Sequence, residues 1–498
     1  MQPQTVPMPS ESPRGHKLRL VLAILFLLGL SDFLMFDQTP GINLFLLVAA
    51  FSLAIVVFAR RRLRGRQPAC LFLLPICAAA PLLESPSFQA TIIVISTLAF
   101  VALAASKMLP ARWDDLPNVM GRFYFGIPGR LVGLFQRRRA VMPTPGIVKS
   151  LLRVWTIPLI LSAGFLLLFS IANPLIASAL GKIDLTFLLR FFDLSRIGLW
   201  VATGCVSYLL LRPRLMKRLR KIQDASIGVG RQRASLIGNE ALLRALVLFN
   251  ALFALETVLD LLYLWGGATL PDGMSYAEYA HRGAYPLVVT ALLAAFFVLI
   301  TMRKGGAGAA NRLIRVLVYL WIGQNILLCL SSILRLSLYV RVYSLTELRL
   351  AAGIWMLLVA IGLLLIMLRI ARGHSNGWLV ATTLAMFSAT TYLVSFADMP
   401  ALVARFNVAH CREVSGDGLP LDTDYLLELG PAAIPAIDDY LAATVHSMPV
   451  PENRNLLVAD RMNLADTFRN DQRQEDWRSW SFRDARLARY LNVKDAIP

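Results

Sequence analysis

The chain has 498 residues, of which 57% are hydrophobic and 16% charged, and its mean hydropathy is +0.60. Soluble domains carry nearer ~25% charged residues, so an ordinary soluble protein is excluded. The net charge of +19 would suit a nucleic-acid binder if the basic residues shared one surface. They are instead segregated between apolar runs, which argues for a membrane and against nucleic acid.

Apolar stretches of roughly 17–27 residues recur about eleven times, each long enough to cross a hydrocarbon core of ~30 Å. They cover 17–36, 41–59, 68–84, 89–107, 153–177, 194–211, 243–265, 285–302, 316–339, 350–369 and 377–397. The fold class that follows is all-α: a polytopic transmembrane helical bundle of about eleven spans with a small helical C-terminal extramembrane tail. Of the 50 Lys and Arg residues, about 32 fall in the N-terminus and in the alternate loops 60–66, 107–153, 212–244, 303–315 and 369–372. The positive-inside rule then puts the N-terminus in the cytoplasm and the C-terminus outside, with the basic loops against anionic headgroups. The expected organisation is a disordered cytoplasmic segment (1–16), N-terminal spans (17–107), a cytoplasmic interfacial loop (108–152), the main bundle (153–397) and a periplasmic helical tail (398–498).

The first apolar run lacks a small-residue cleavage site and is closely followed by another, so it reads as a span rather than a signal peptide. The third is the weakest, because Pro68, Pro75 and Pro81 interrupt a short segment; a re-entrant loop there would invert everything downstream, and a full span is the reading kept. The loop 107–153 alternates aromatics, glycines and basic residues (Arg122, Phe123, Tyr124, Phe125, then Arg137, Arg138 and Arg139) and is predicted to lie in the headgroup region with its apolar side down. Pro158 and Pro174 predict a kink in the fifth span. Residues 182–196 suggest an amphipathic helix on the outer surface, and Arg212 to Lys221 a basic stop after the sixth span.

An ionisable residue inside a span is costly unless paired or hydrated, so each is a functional candidate. Glu256 and Asp260 stand four residues apart in the seventh span and therefore on one helical face. Arg335 of the ninth span lies at a comparable depth, which makes an ion-paired cluster of the three the natural arrangement. Deeper, Gln324 and Asn325 have Asn250 or backbone groups as partners. The loop after the seventh span concentrates Tyr276, Glu278, Tyr279, His281, Arg282 and Gly283, and the next outer loop brings Tyr343, Thr346 and Arg349. The predicted site is a polar, water-accessible cavity opening to the outer face, with Glu256 and Asp260 as proton or cation partners, Arg335 as counter-ion, and Glu278, His281, Arg282 and Arg349 at its rim. Against it stands a plainer account, in which the tyrosines form the interfacial aromatic belt, Arg335 snorkels and the acids pin helices together.

Beyond Asp398 the chain becomes acidic. Asp422 and Thr423 can cap a short helix ending at Gly430, and Pro431 opens a second over Ala432 to Val445 with Ile434, Ile437, Leu441 and Val445 as its apolar stripe. Trp477, Trp480 and Phe482 precede a last basic helix bearing Arg483, Arg486 and Arg489. Four of the five cysteines fall in predicted spans; Cys411 alone is expected outside, where an intermolecular bridge is open to it. No metal site is expected, since His281 and His374 fall on opposite faces and no ligand spacing joins them. No cofactor is expected and no catalytic residue is assigned.

The segment Tyr276 to Tyr285, together with Tyr343, Leu345, Thr346 and Arg349, resembles a bacterial membrane-protein family catalogued as domain of unknown function 4173, with a related family numbered 4153. The Leu-Gly-Pro-x-Ala-x-Pro segment at Leu429–Pro435 resembles some members as well. The likeness covers roughly residues 200–490 and implies a multi-span protein of the bacterial inner membrane, with no activity attached. Three functions stay open: transport or sensing of a small solute or lipid, a scaffold contacting an envelope protein through 398–498, and an enzyme acting on an envelope lipid or glycan with Glu278 or His281 as general base. Transport or sensing leads, because acids in a span face a basic partner; the enzyme lacks a nucleophile or metal constellation.

Overall fold

The computed structural model describes residues 13–133, 193–215, 239–266, 311–445 and 454–494. Among the described residues the regular structure is helical throughout, with no strand. Nine of the described helices are long and apolar enough to cross a membrane, and the chain is a multi-pass membrane protein. The expected spans 153–177 and 285–302 lie outside the described residues, as do most of 182–196 and the basic run beyond Leu215. The chain divides into two compact units, one of residues 1–77, 96–108 and 119–217, the other of 78–95, 109–118 and 218–498.

The first unit holds α1 (Pro13–Met35), α2 (Ile42–Ala59), the first part of α3 (Gln67–Glu84), the last part of α4 (Phe88–Ala105), most of α5 (Leu116–Phe125) and α6 (Leu194–Leu211). Here α1 packs against α2 and α6. Asp32, one turn from the end of α1, accepts two hydrogen bonds from the Arg196 guanidinium and a third from Trp200 Nε1 at 2.9 Å. The same guanidinium lies 4.5 Å over the Phe36 ring. This closes α1 on the start of α6 with a paired charge rather than an open one.

The third span is continuous despite its prolines. Pro75 has no N–H to give the carbonyl of Leu71, and Ser52 of α2 reaches into that break. Its Oγ donates to Phe72 O at 2.9 Å and lies 3.5 Å from Leu71 O. A neighbouring hydroxyl thus bonds the turn beside the break and comes within reach of the carbonyl that proline frees, as hydrocarbon cannot.

In the second unit α7 (Asn239–Leu259), α8 (Arg312–Tyr343), α9 (Glu347–Arg372) and α10 (Asn376–Val394) form the membrane core. Leu246, Ile314, Val318, Ile322, Cys329 and Leu363 are among its most deeply buried residues. Ser375 caps α10, accepting from Trp378 N at 2.9 Å, and donates to Asp114 Oδ2 at 2.7 Å. The turn holding Asp114 sits so close that a Cβ on Gly377 would lie 2.5 Å from the Asp114 carbonyl oxygen, so only glycine fits there.

The C-terminal helices are α11 (Met399–His410), α12 (Arg412–Ser415), α13 (Thr423–Glu428), α14 (Ile434–Ala443), α15 (Arg454–Gln474) and α16 (Phe482–Lys494). The helix expected over Ala432 to Val445 begins later, after a 3-10 turn at Gly430–Ala433, and stops at Ala443. Ile434 and Ile437 are fully buried, whereas Val445 lies past the helix end and is exposed. Asp438 shares their face. It takes a two-pronged bond from Arg461 at 2.9 and 3.0 Å and a third from the Tyr490 hydroxyl at 2.9 Å, tying α14, α15 and α16 together. Burial, and then the bond to Asp438, push the Tyr490 hydroxyl above its ordinary pKa.

Ser52→Ala is expected to lower thermal stability by about 1 kcal/mol, and by clearly less when Pro75→Ala has restored the helix's own donor; equal losses in both backgrounds would refute the Ser52 assignment. Asp438→Ala strands a largely buried guanidinium and costs about 3 kcal/mol, read as faster proteolysis of residues 454–494.

Candidate functional site

Glu256, Asp260 and Arg335 come together between α7 and α8. Arg335 Nη2 donates to Glu256 Oε1 at 3.1 Å and to Asp260 Oδ1. Asp260 and Arg335 are 1% and 2% exposed, whereas the Glu256 side chain is 37% exposed. The four-residue spacing delivers both acids to one face, and one nitrogen of one guanidinium serves both. Asp260 also opens a π-helical turn, Asp260–Trp265, a distortion that recurs at functional sites in helices. The turn is closed by Gly266, where a Cβ would meet Leu262 O at 2.7 Å. Trp265 Nε1 anchors it by donating to Ser331 Oγ at 3.1 Å.

Deeper along the same pair lies a layer of amides. Asn250 Nδ2 donates to Leu246 O at 2.8 Å and to Leu317 O at 3.1 Å, and Gln324 Nε2 donates to the backbone oxygen of Asn250 at 3.3 Å. Asn325 Nδ2 donates to Trp321 O at 2.7 Å. Each of these amides directs its donor to backbone, and the side-chain oxygens of Asn250, Gln324 and Asn325 have no partner among the described residues. Buried acceptors in that state are sites for water.

The loop between α8 and α9 is held tightly. Ser344 has φ 63° and ψ 170°, a conformation disfavoured for any residue but glycine. Arg349 Nη1 donates to the carbonyls of Tyr343 and Ser344, and its guanidinium lies 4.7 Å over the Tyr339 ring. Thr346 caps α9, accepting from Arg349 N at 3.3 Å. Leu345 exchanges two backbone hydrogen bonds with the Asn407 side chain, at 2.8 and 2.9 Å, and Glu347 N donates to the Tyr425 hydroxyl at 3.1 Å. Leu345 and Glu347 therefore dock α11 and α13, on a loop that Arg349 and Thr346 hold in shape. The other expected rim residues, Glu278, His281 and Arg282, and the motif residues Tyr276, Tyr279 and Gly283 lie outside the described residues.

The last helix is fastened to span ends. Arg486 pairs with Glu84, and Arg483 Nε lies 3.2 Å from Asp398. Among these helices lies a cavity of about 880 Å³, lined by Leu429, Pro431 and Pro435 of the Leu-Gly-Pro-x-Ala-x-Pro segment and by Arg405 and Asp439. Among the described residues no three His, Cys, Asp or Glu side chains group to hold a metal ion. Cys411 corrects the expectation of an outward thiol: it is 4% exposed, packs in the C-terminal core and donates to Val408 O at 3.2 Å, which closes the route to an intermolecular bridge. Burial pushes its thiol up to about 11.

A family model described as domain of unknown function (DUF4153) matches residues 20–440. The chain belongs to this family. The match is to the second of the two families that the sequence resembles, and it takes in the N-terminal spans as well as the region after residue 200. No curated protein matches, and no solved structure matches.

Asn407, Asp438 with Arg461, and Arg196 with Asp32 escaped sequence reasoning. Asp438 had a signal, since it sits four residues after Ile434 in the apolar stripe; Asn407 had none, because its partner is a backbone 62 residues away. For Cys411, an impermeant maleimide is expected to leave it unlabelled in intact and in permeabilised membranes and to label it only after denaturation. The unfolded thiol ionises before the folded one, so its contribution is complete below about pH 9 and is lost as pH rises toward about 11; alkaline unfolding that Cys411→Ser leaves unchanged would contradict this.

Proposed function

We propose that the protein moves or senses a small solute or lipid at the α7–α8 polar site, as an eleven-span protein of the bacterial inner membrane with its N-terminus inside. One observation carries this reading: Arg335 answers two carboxylates, and one of them, Glu256, keeps an open side within a span. A pure lock needs one acid. Two acids on one nitrogen give the trio itself a net charge of −1, which suits a proton or a cationic group of a solute.

The count of eleven is supported by direction. Asn250 contacts Leu317, and Asp260, further along α7, contacts Arg335, further along α8. The two helices thus run parallel, whereas membrane helices joined by a simple loop run antiparallel. One further crossing between them, as eleven spans require, accounts for it. The basic loops then meet anionic lipid on the cytoplasmic side, with no nucleic acid as partner.

The cavity beside the Leu429–Pro435 segment favours a second reading, a scaffold in which residues 398–498 receive an envelope protein. Co-purification of such a protein that persists after Glu256→Gln and fails when residues 454–494 are deleted would support the scaffold.

The leading reading is tested with Glu256→Cys introduced into a chain otherwise free of cysteine, in intact spheroplasts, beside a variant carrying Asp417→Cys at an exposed loop. Position 256 is expected to react with an impermeant thiol reagent, and Glu256→Gln to keep the melting temperature within about 1 kcal/mol of stability. A silent position 256 beside a reactive position 417 would make the cluster a lock. Asp260→Asn, in contrast, is expected to cost about 3 kcal/mol.

A further inference from the structure

We infer that the first unit carries a specific site for an anionic phospholipid at the converging ends of α2, α4 and α6. These three helices end around a cavity of about 350 Å³. Phe58 of α2 and Ala102 and Ala105 of α4 give it apolar walls, while Arg62, Arg212 and Arg214 line its edge. All three arginines are exposed, and none pairs with a carboxylate among the described residues. A cleft walled on one side by Phe58, Ala102 and Ala105 and ending in three such guanidiniums at a membrane boundary matches an acyl chain joined to a phosphate.

The edge is also held in place. Helix C-termini carry partial negative charge that would repel a phosphate, and Arg130 answers it at α6. Its Nη2 donates to Leu209 O at 3.1 Å and to Arg212 O at 3.0 Å, and Nη1 lies 3.4 Å from Arg214 O. A fourth guanidinium thus occupies the helix end and fixes the backbone that presents Arg212 and Arg214. Arg130 is a positioning residue, itself steadied 5.2 Å over the Phe123 ring. The inference uses none of the residues between α7 and α8 and stands whether or not that site moves a solute.

The test uses the full-length protein in detergent, with phosphatidylglycerol and phosphatidylcholine offered in equal amounts and bound lipid counted by mass spectrometry of the intact complex. The wild type is expected to retain phosphatidylglycerol preferentially. One near-surface arginine contributes about a fivefold factor in affinity for anionic lipid, so the Arg62→Gln/Arg212→Gln/Arg214→Gln variant loses on the order of a hundredfold. A variant with the same charge removed elsewhere, Arg64→Gln/Arg66→Gln/Arg372→Gln, is expected to keep the preference. Equal loss in both triple variants would reduce the effect to general surface charge and overturn the site. Displacement of the lipid by millimolar inorganic phosphate alone would overturn the lipid as occupant, because the acyl wall would then contribute nothing. Arg130→Gln is expected to weaken retention while leaving the melting temperature of the lipid-free protein near that of the wild type; a variant that retains lipid unchanged would remove Arg130 from the site.

Discussion

Hydrocarbon offers a buried polar group nothing to bond with, and the described spans are organised around that constraint. Pro75 frees a carbonyl inside the third span, and a hydroxyl from the adjacent helix reaches that turn, bonding Phe72 O and lying 3.5 Å from Leu71 O. Asp32 ends the first span as a carboxylate, and Arg196 and Trp200 close over it. Arg335 enters the bilayer with a full charge and meets two acids on one face of α7. In each case the local sequence creates a hydrogen-bonding need that only a second helix can meet, so the polar residues choose the helix pairs. Apolar packing such as that of Ile314, Val318 and Leu363 then tightens contacts whose partners were already set, since side chains in lipid gain little from hiding among other apolar groups.

The same constraint explains why the α7–α8 seam differs from the other polar contacts. Asp32 and Arg196 match one acid to one base. The seam instead carries two acids for one base, a π-helical turn beginning at one of the acids, and amide oxygens without donors among the described residues. From Asn250 to Asp260 is ten residues, or about 15 Å along a helix, half the thickness of a hydrocarbon core. The amide oxygens of Asn250, Gln324 and Asn325 are places for water over that length, as the proposed solute path would need.

Much of this was legible in the sequence, and the reasons it was legible are physical. A span must be long and apolar wherever it lies, so α2, α3, α4 and α6 begin and end within a residue or two of the expected limits. Glu256, Asp260 and Arg335 were readable because a charge in a span demands a partner and only three such charges sit at one depth. The π turn was not readable, because Asp260–Trp265 has the composition of ordinary helix. Nor was the Asn407 clamp, which satisfies the Leu345 backbone and so leaves no trace in side-chain pattern. The burial of Cys411 was unreadable for a related reason: the polar character of its surroundings marks a segment beyond the last span, but does not show that α13 and α14 pack over it.

The docking of the C-terminal helices bears on which function the second unit can support. Ser344 is held in a conformation that costs of order 1–3 kcal/mol; Arg349 donates to its carbonyl, and the neighbouring Leu345 and Glu347 N–H groups donate to Asn407 and Tyr425. Strain of that size persists only where neighbouring contacts over-determine the backbone. The loop joining α8 to α9 is therefore rigid, and it lies at the end of the helix that carries Arg335. A rigid end on α8 limits how far Arg335 can travel, whereas Glu256 sits on α7, one turn before the π distortion. Under the proposed function a change of partner would therefore fall to α7, where Asp260 is buried against Arg335 and Glu256 keeps an open side.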